Sequence, residues 1–171
     1  MKKKVFFGLP KCDIVIVCFI FLSVMSFIRN GVWLDDITLW VDVVRKSPYK
    51  VRSVNFLGAA YFERNQFSDA VFWFRYAVGL DSNNFTSRNN LALALQLKGD
   101  VVQSLQQYKS SLALNFSAFN VHVNLGTLYL DIDRCDDAMN EFQQAIVLGG
   151  DKGKYLVSLN LDRFEELCVR K

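Results

Sequence analysis

One spacing governs this chain: small and large apolar residues recur in the same order every 34 positions. The strongest copy lies within LGAAYFERNQFSDAVFWFRYA, residues 57–77, where Gly58, Ala70 and Ala77 sit among large apolar neighbours. The pattern returns at Leu125, Gly126, Tyr129, Ala138, Phe142 and Ala145. A weaker copy lies between, at Leu91, Ala92, Leu95, Ser104, Tyr108 and Ser111. Small residues on apolar helical faces leave voids unless another backbone approaches closely enough to fill them. Spacings of three and four place each set on one face of a helix. Between the two helices of each copy the chain is polar: Arg64-Asn65-Gln66, Lys98-Gly99-Asp100 and Asp133-Arg134. The spacing therefore predicts an all-α chain of helical hairpins, each closing tightly around its small residues.

This pattern resembles the tetratricopeptide repeat, whose period and signature positions it matches. With units at 51–84, 85–118 and 119–152, the family's Leu-Gly pair corresponds to Leu57-Gly58, Leu91-Ala92 and Leu125-Gly126. Its Tyr corresponds to Tyr61, Leu95 and Tyr129. Its second-helix series corresponds to Ala70-Phe74-Ala77, Ser104-Tyr108-Ser111 and Ala138-Phe142-Ala145. The chain departs from the family at the Trp-like position, which holds Val54, Arg88 and His122. It departs again at the proline after the second helix, which is Ser82, Phe116 and Gly150. The resemblance implies a right-handed α-solenoid of stacked hairpins.

The flanks extend the register. One period before Ser82 lies Pro48, and one before Phe74 lies Trp40, so residues 30–50 read as the second helix of a degenerate repeat. That helix carries Trp33, Ile37, Trp40 and Val44 on one face. Residues 153–171 place Val157, Leu161, Phe164 and Cys168 on one face, as a capping helix needs to shield the last repeat. The segment WLDDITLWVDVVRKSP also looks like the one following the last membrane helix of certain polytopic bacterial proteins. Those carry glycosyltransferase-like membrane domains and tetratricopeptide tails. No catalytic membrane portion accompanies it here, so this likeness implies at most an accessory tail of a glycan-processing system.

The net charge of +3 is unevenly spread. Residues 1–29 hold Lys2, Lys3, Lys4, Lys11 and Arg29 against Asp13 alone, whereas the remainder is close to neutral. The body of the chain thus lacks the basic footprint of a nucleic-acid binder. Residues 1–29 read as a basic cytoplasmic start followed by a membrane-spanning signal-anchor helix. The uncharged run Ile14–Ile28 would extend roughly 22 Å as a helix, against a hydrocarbon core of about 30 Å. Cleavage after Ser26 is the alternative. By the distribution of positive charge, the repeats would then face the periplasm or another extracytoplasmic space.

The four cysteines form no C-x-x-C pair and the chain has a single histidine, so the sequence offers no zinc ligand set. An oxidising compartment would permit a Cys135–Cys168 bridge, but the rarity of bridges in helical repeats argues against it. The acidic cluster Asp131, Asp133, Asp136 and Asp137 lacks the glycine and glutamate of a calcium loop and reads as a helix-turn-helix corner. His122 occupies a packing position with no nucleophile beside it. Trp73 reads as an outer-face candidate for a partner or a bilayer surface. No cofactor, metal or small-molecule substrate is expected, and no enzymatic activity.

What remains is the inner face, where the resemblance implies partner binding. The family's groove positions correspond to Arg52, Asn55, Ala59, Phe62 and Glu63 in the first unit. They correspond to Thr86, Asn89, Leu93, Gln96 and Leu97 in the second, and to Asn120, Val123, Thr127, Leu130 and Asp131 in the third. Arg52 is their only base. The expectation is a non-catalytic scaffold that holds a protein segment or peptide by amide hydrogen bonds and apolar contacts.

Overall fold

A computed structural model describes residues 11–31 and 35–169. Among them the ordered elements are helical: α1 (Lys11–Gly31), α2 (Asp36–Lys46), α3 (Val51–Glu63), α4 (Phe67–Leu80) and α5 (Phe85–Lys98). These are followed by α6 (Val101–Leu114), α7 (Phe119–Asp131), α8 (Cys135–Ser158), α9 (Leu161–Phe164) and a π-helical turn (Glu165–Val169). Helices α3–α4, α5–α6 and α7–α8 pair as hairpins, and α2 packs on α3.

The 34-residue period is written into the backbone as well as the side chains. Asn65, Gly99 and Asp133 all have positive φ (58°, 92° and 58°), one at each hairpin turn. Beside each, the next N–H reaches back to a first-helix carbonyl: Gln66 to Tyr61 at 3.0 Å, Asp100 to Leu95 at 2.8 Å, Arg134 to Tyr129 at 2.9 Å. This is the six-to-one closure of a Schellman end. The links between hairpins repeat too: Asp81 Oδ1 accepts from Asn83 N–H at 3.0 Å and Asn115 Oδ1 from Ser117 N–H at 3.1 Å. Side-chain caps start α2, α5 and α6, where Asp35, Asn84 and Asp100 accept from the N–H three residues on.

Within the hairpins the small residues act as the spacing predicts. Ala70, Ala77, Ala92, Ala138 and Ala145 are fully buried, and Phe74, Tyr108 and Phe142 fill the crossings. The buried core forms three groups along the stack. Val44, Val54, Leu57 and Ala77 join α2 to the first hairpin. Phe74, Leu91 and Leu95 join the first hairpin to α5. A larger group runs from Ala92 and Tyr108 through the third hairpin to Val157.

Two expectations change. Among the described residues no helix is long and apolar enough to cross a membrane. Helix α1 has 21 residues, but its charged members Lys11, Asp13 and Arg29 confine the uncharged run to Ile14–Ile28. That run is about 22 Å long, short of a bilayer core of about 30 Å. The single-pass anchor, the cytoplasmic N-terminus and the extracytoplasmic placement of the repeats are therefore withdrawn. Lys2, Lys3 and Lys4 lie outside the described residues, as does Trp33.

The cap also differs from one continuous helix. Gly150, with φ 55° and ψ −130°, kinks α8, and the second half turns back against the first. A Cβ on Gly153 would lie 2.0 Å from the Ala145 carbonyl oxygen, so only glycine fits. A second break follows at Leu159–Asn160, where the Asn160 amide donates to the Leu156 carbonyl at 3.1 Å. Val157 is buried, but Leu161, expected on the covered face, is 46% exposed.

Candidate functional site

Helices α3, α5 and α7, which the resemblance would place on the inner face, contact one another in succession, and their side chains are bonded across the hairpins. Asn55 Nδ2 donates to Ser87 Oγ at 2.7 Å and Asn124 Nδ2 to Asn89 Oδ1 at 3.1 Å. Gln96 Nε2 donates to Asp131 Oδ2 at 2.6 Å, and its Oε1 accepts from the Tyr108 hydroxyl at 3.0 Å. Burial, with the Asp131 carboxylate adding to it, pushes the Tyr108 hydroxyl pKa well above its ordinary value, so it stays a donor. Asp131 is also paired with Arg163. Much of the amide content expected to face a partner thus ties neighbouring helices together.

An open cleft remains between α3 and α5. One part, about 110 Å³, is lined by Ala59, Phe62, Glu63, Phe74, Asn90 and Leu93. The adjoining part, about 420 Å³, is lined by Val51, Arg52, Asn55, Phe56, Ala59, Asn84, Thr86 and Asn90. Ala59 and Asn90 belong to both, so the cleft is continuous. Its rim is ordered: Arg52 lies 5.5 Å from the Phe56 ring centroid, and Phe56 stacks on Trp40 at 4.5 Å. Phe62 meets Phe67 edge-on at 5.6 Å. Asn55 Oδ1 is shielded from solvent and has no hydrogen-bond donor.

The structure therefore brings together Arg52, Asn55, Phe62 and Leu93. It separates others from them. Asn89 is only 6% exposed and Val123 7%. Gln96 is occupied by Asp131 and Tyr108, and the Thr127 hydroxyl bonds back to the Val123 carbonyl at 2.7 Å. Asn120 is exposed on the third hairpin. Asn90 and Phe56 line the cleft and were missed. The Asn89-Asn90 doublet carries the signal, because neighbours about 100° apart on a helix cannot share a face. The sequence alone does not say which of the two faces inward. Trp73 is half-buried against the group around Val54 and Leu57, whereas its neighbour Phe72 is 63% exposed.

His122 sits away from the cleft. Its Nδ1 lies 2.6 Å from Glu141 Oε2 and its Nε2 2.9 Å from the Phe116 carbonyl. An acceptor at each nitrogen gives both N–H groups of a protonated ring a partner. Burial alone would lower its pKa; the hydrogen bonds to Glu141 and Phe116 and the charge of Glu141 outweigh it, and the pKa is raised.

No protein-family model and no curated protein matches the sequence. Solved structures do match. A crystal structure of MamA superposes with a TM-score of 0.61 at 20% identity, covering 77% of this chain and 84% of that one. A second MamA crystal structure gives 0.62 at 18% identity, covering 81% and 82%. The first TPR of Spaghetti (RPAP3), bound to the HSP90 peptide SRMEEVD, gives 0.62 at 15% identity, covering 68% and 91%. The fold is that of a tetratricopeptide-repeat array. At these identities the likeness reaches no further than the fold.

Proposed function

We propose that this chain is a non-catalytic scaffold, its units 51–84, 85–118 and 119–152 serving as repeats, that binds a segment of a partner protein in the α3–α5 cleft. The observation that carries this reading is the cleft itself. Its apolar floor of Ala59, Phe62, Phe74 and Leu93 runs into a polar end bearing Asn55, Asn90, Thr86 and Arg52. An apolar side chain of the partner fits the floor, while its backbone meets the amides. The fold likeness to a TPR domain holding a peptide supports the same use. The peptide there ends in Glu-Glu-Val-Asp. Here Arg52 is the cleft's only cation and Glu63 adds an opposing charge, so the chemistry favours an uncharged segment. So few repeats suggest micromolar affinity, about −8 kcal/mol.

Panning a displayed peptide library on the full chain tests this. Enriched peptides should be uncharged around one apolar anchor, and should lose at least ten-fold in affinity against Leu93→Asp and Phe62→Ala. Both variants must keep the wild-type helical circular dichroism. Peptides that bind the variants as well as the parent would move the site elsewhere.

A further inference from the structure

Beyond the kink at Gly150, the chain is attached to the stack unevenly. Between Leu159 and Val169 only Asn160, Phe164, Leu167 and Cys168 are half-buried, and the other side chains are exposed. A four-residue helix followed by a five-residue π-helical turn has too few internal bonds to persist alone. The Phe164 ring meets Phe142 edge-on at 6.5 Å. Arg163 pairs with Asp131 at the solvent surface, where such pairs contribute little. Leu167 also packs against the core of the third hairpin, and one further attachment is covalent. Cys135 opens α8 and Cys168 lies in the π-helical turn, and their sulfurs are bonded, with Cα atoms 5.7 Å apart across 33 residues.

We propose that the Cys135–Cys168 disulfide is a redox-operated latch: it holds residues 159–169 on the third hairpin, and its reduction releases them while the stack stays folded. The reductant is a dithiol. One thiolate attacks a cystine sulfur and expels the other cysteine as a thiolate; the second thiol then resolves the mixed disulfide. Two electrons and two protons pass to the chain, and the dithiol leaves as its own disulfide.

Nothing in the hairpin crossings requires the latch. Ala138, Phe142 and Ala145 are buried within the α7–α8 hairpin, and Phe142 fills the space left by Gly126. Release changes the surface instead. It uncovers the edge of Phe142 and removes Arg163 from Asp131. That carboxylate then remains on the inner face with only Gln96 as partner. The inference does not depend on the cleft binding a peptide, and its test needs no partner.

Hydrogen exchange read by mass spectrometry on the full chain, with and without dithiothreitol, provides that test. Amides in 159–169 should exchange at least ten-fold faster after reduction, with those of 51–130 unchanged. Cys135→Ser without reductant should match the reduced wild type. Unchanged exchange in 159–169 would show that side-chain packing holds the segment. Faster exchange throughout α5–α8 would make the bond a staple of the whole stack. Either result overturns the proposal, as would finding four reactive thiols in the unreduced, denatured chain where two are expected.

Discussion

A Cβ added to Gly126 would lie 2.6 Å from Cε1 of Phe142, and one on Gly58 2.7 Å from Cδ1 of Phe74. The ring occupies the volume that any larger residue would need, so Gly126→Ala forces ring or backbone to move. We expect a loss of about 1–3 kcal/mol in urea-induced unfolding; an unchanged midpoint would mean that the crossing is looser than drawn. The middle copy solves the same problem differently. Ala92 replaces glycine, and the buried hydroxyls of Ser104 and Ser111 donate to the Ala92 and Phe85 carbonyls at 2.7 and 2.8 Å. Those bonds explain how a weak copy keeps the register, since a buried hydroxyl is tolerated only when bonded. His122 follows the same rule with a charge. Because its folded pKa is raised, its contribution to stability is complete below the unfolded value of about 6.5 and is lost as pH rises through the folded one. The wild-type unfolding free energy should therefore fall over that window. Glu141→Gln should cost about 1–3 kcal/mol at pH 6 and flatten the profile. An unaltered slope in that variant would assign the titration to another group.

Among the elements, the hairpin turns make the clearest case. Their left-handed position is held by Asn65, Gly99 and Asp133, and an L side chain there costs roughly 1–2 kcal/mol unless it is short and polar. Gly99→Val should lower the melting temperature and Asn65→Gly should raise it. Shifts of the same sign would show that the side chains matter more than the backbone. These turns and the hairpins were legible, because each follows from period and local chemistry. The cap was less so. Its apolar positions recur at helical spacing, but Asn160 bonds back onto the Leu156 carbonyl and the helix breaks there. That outcome depends on tertiary contacts which no single periodicity encodes. The anchor reading of α1 rested on an apolar run flanked by positive charge, and it fails because that run, bounded by Asp13 and Arg29, is too short and not apolar enough to span a bilayer.

Across the molecule, the links between hairpins decide whether the stack behaves as one body. Asn55 to Ser87, Asn124 to Asn89, and Gln96 to Asp131 cross successive interfaces on one face. The sequence showed these amides but not their partners, because a groove residue and an inter-helix strut can share one residue type and nearly one register. The Cys135–Cys168 pair is visible in the sequence, but the rarity of bridges in helical repeats argues against joining it. The structure forms the bridge, because the folded cap brings Cα atoms 33 residues apart in sequence to within 5.7 Å. In a linear array, stability is a sum of repeat and interface terms, so weakening one interface divides the cooperative unit there. Asn124→Ala removes the donor to Asn89 Oδ1 and leaves a polar side chain only 6% exposed without that bond. The expected cost is about 1–3 kcal/mol, placed at the α5–α7 boundary. Native-state hydrogen exchange should then show α7–α8 opening at a lower free energy than α3–α4, where the parent opens both together. If both regions lose protection equally, the stack is coupled chiefly through its apolar core, and the amide links set register without setting cooperativity.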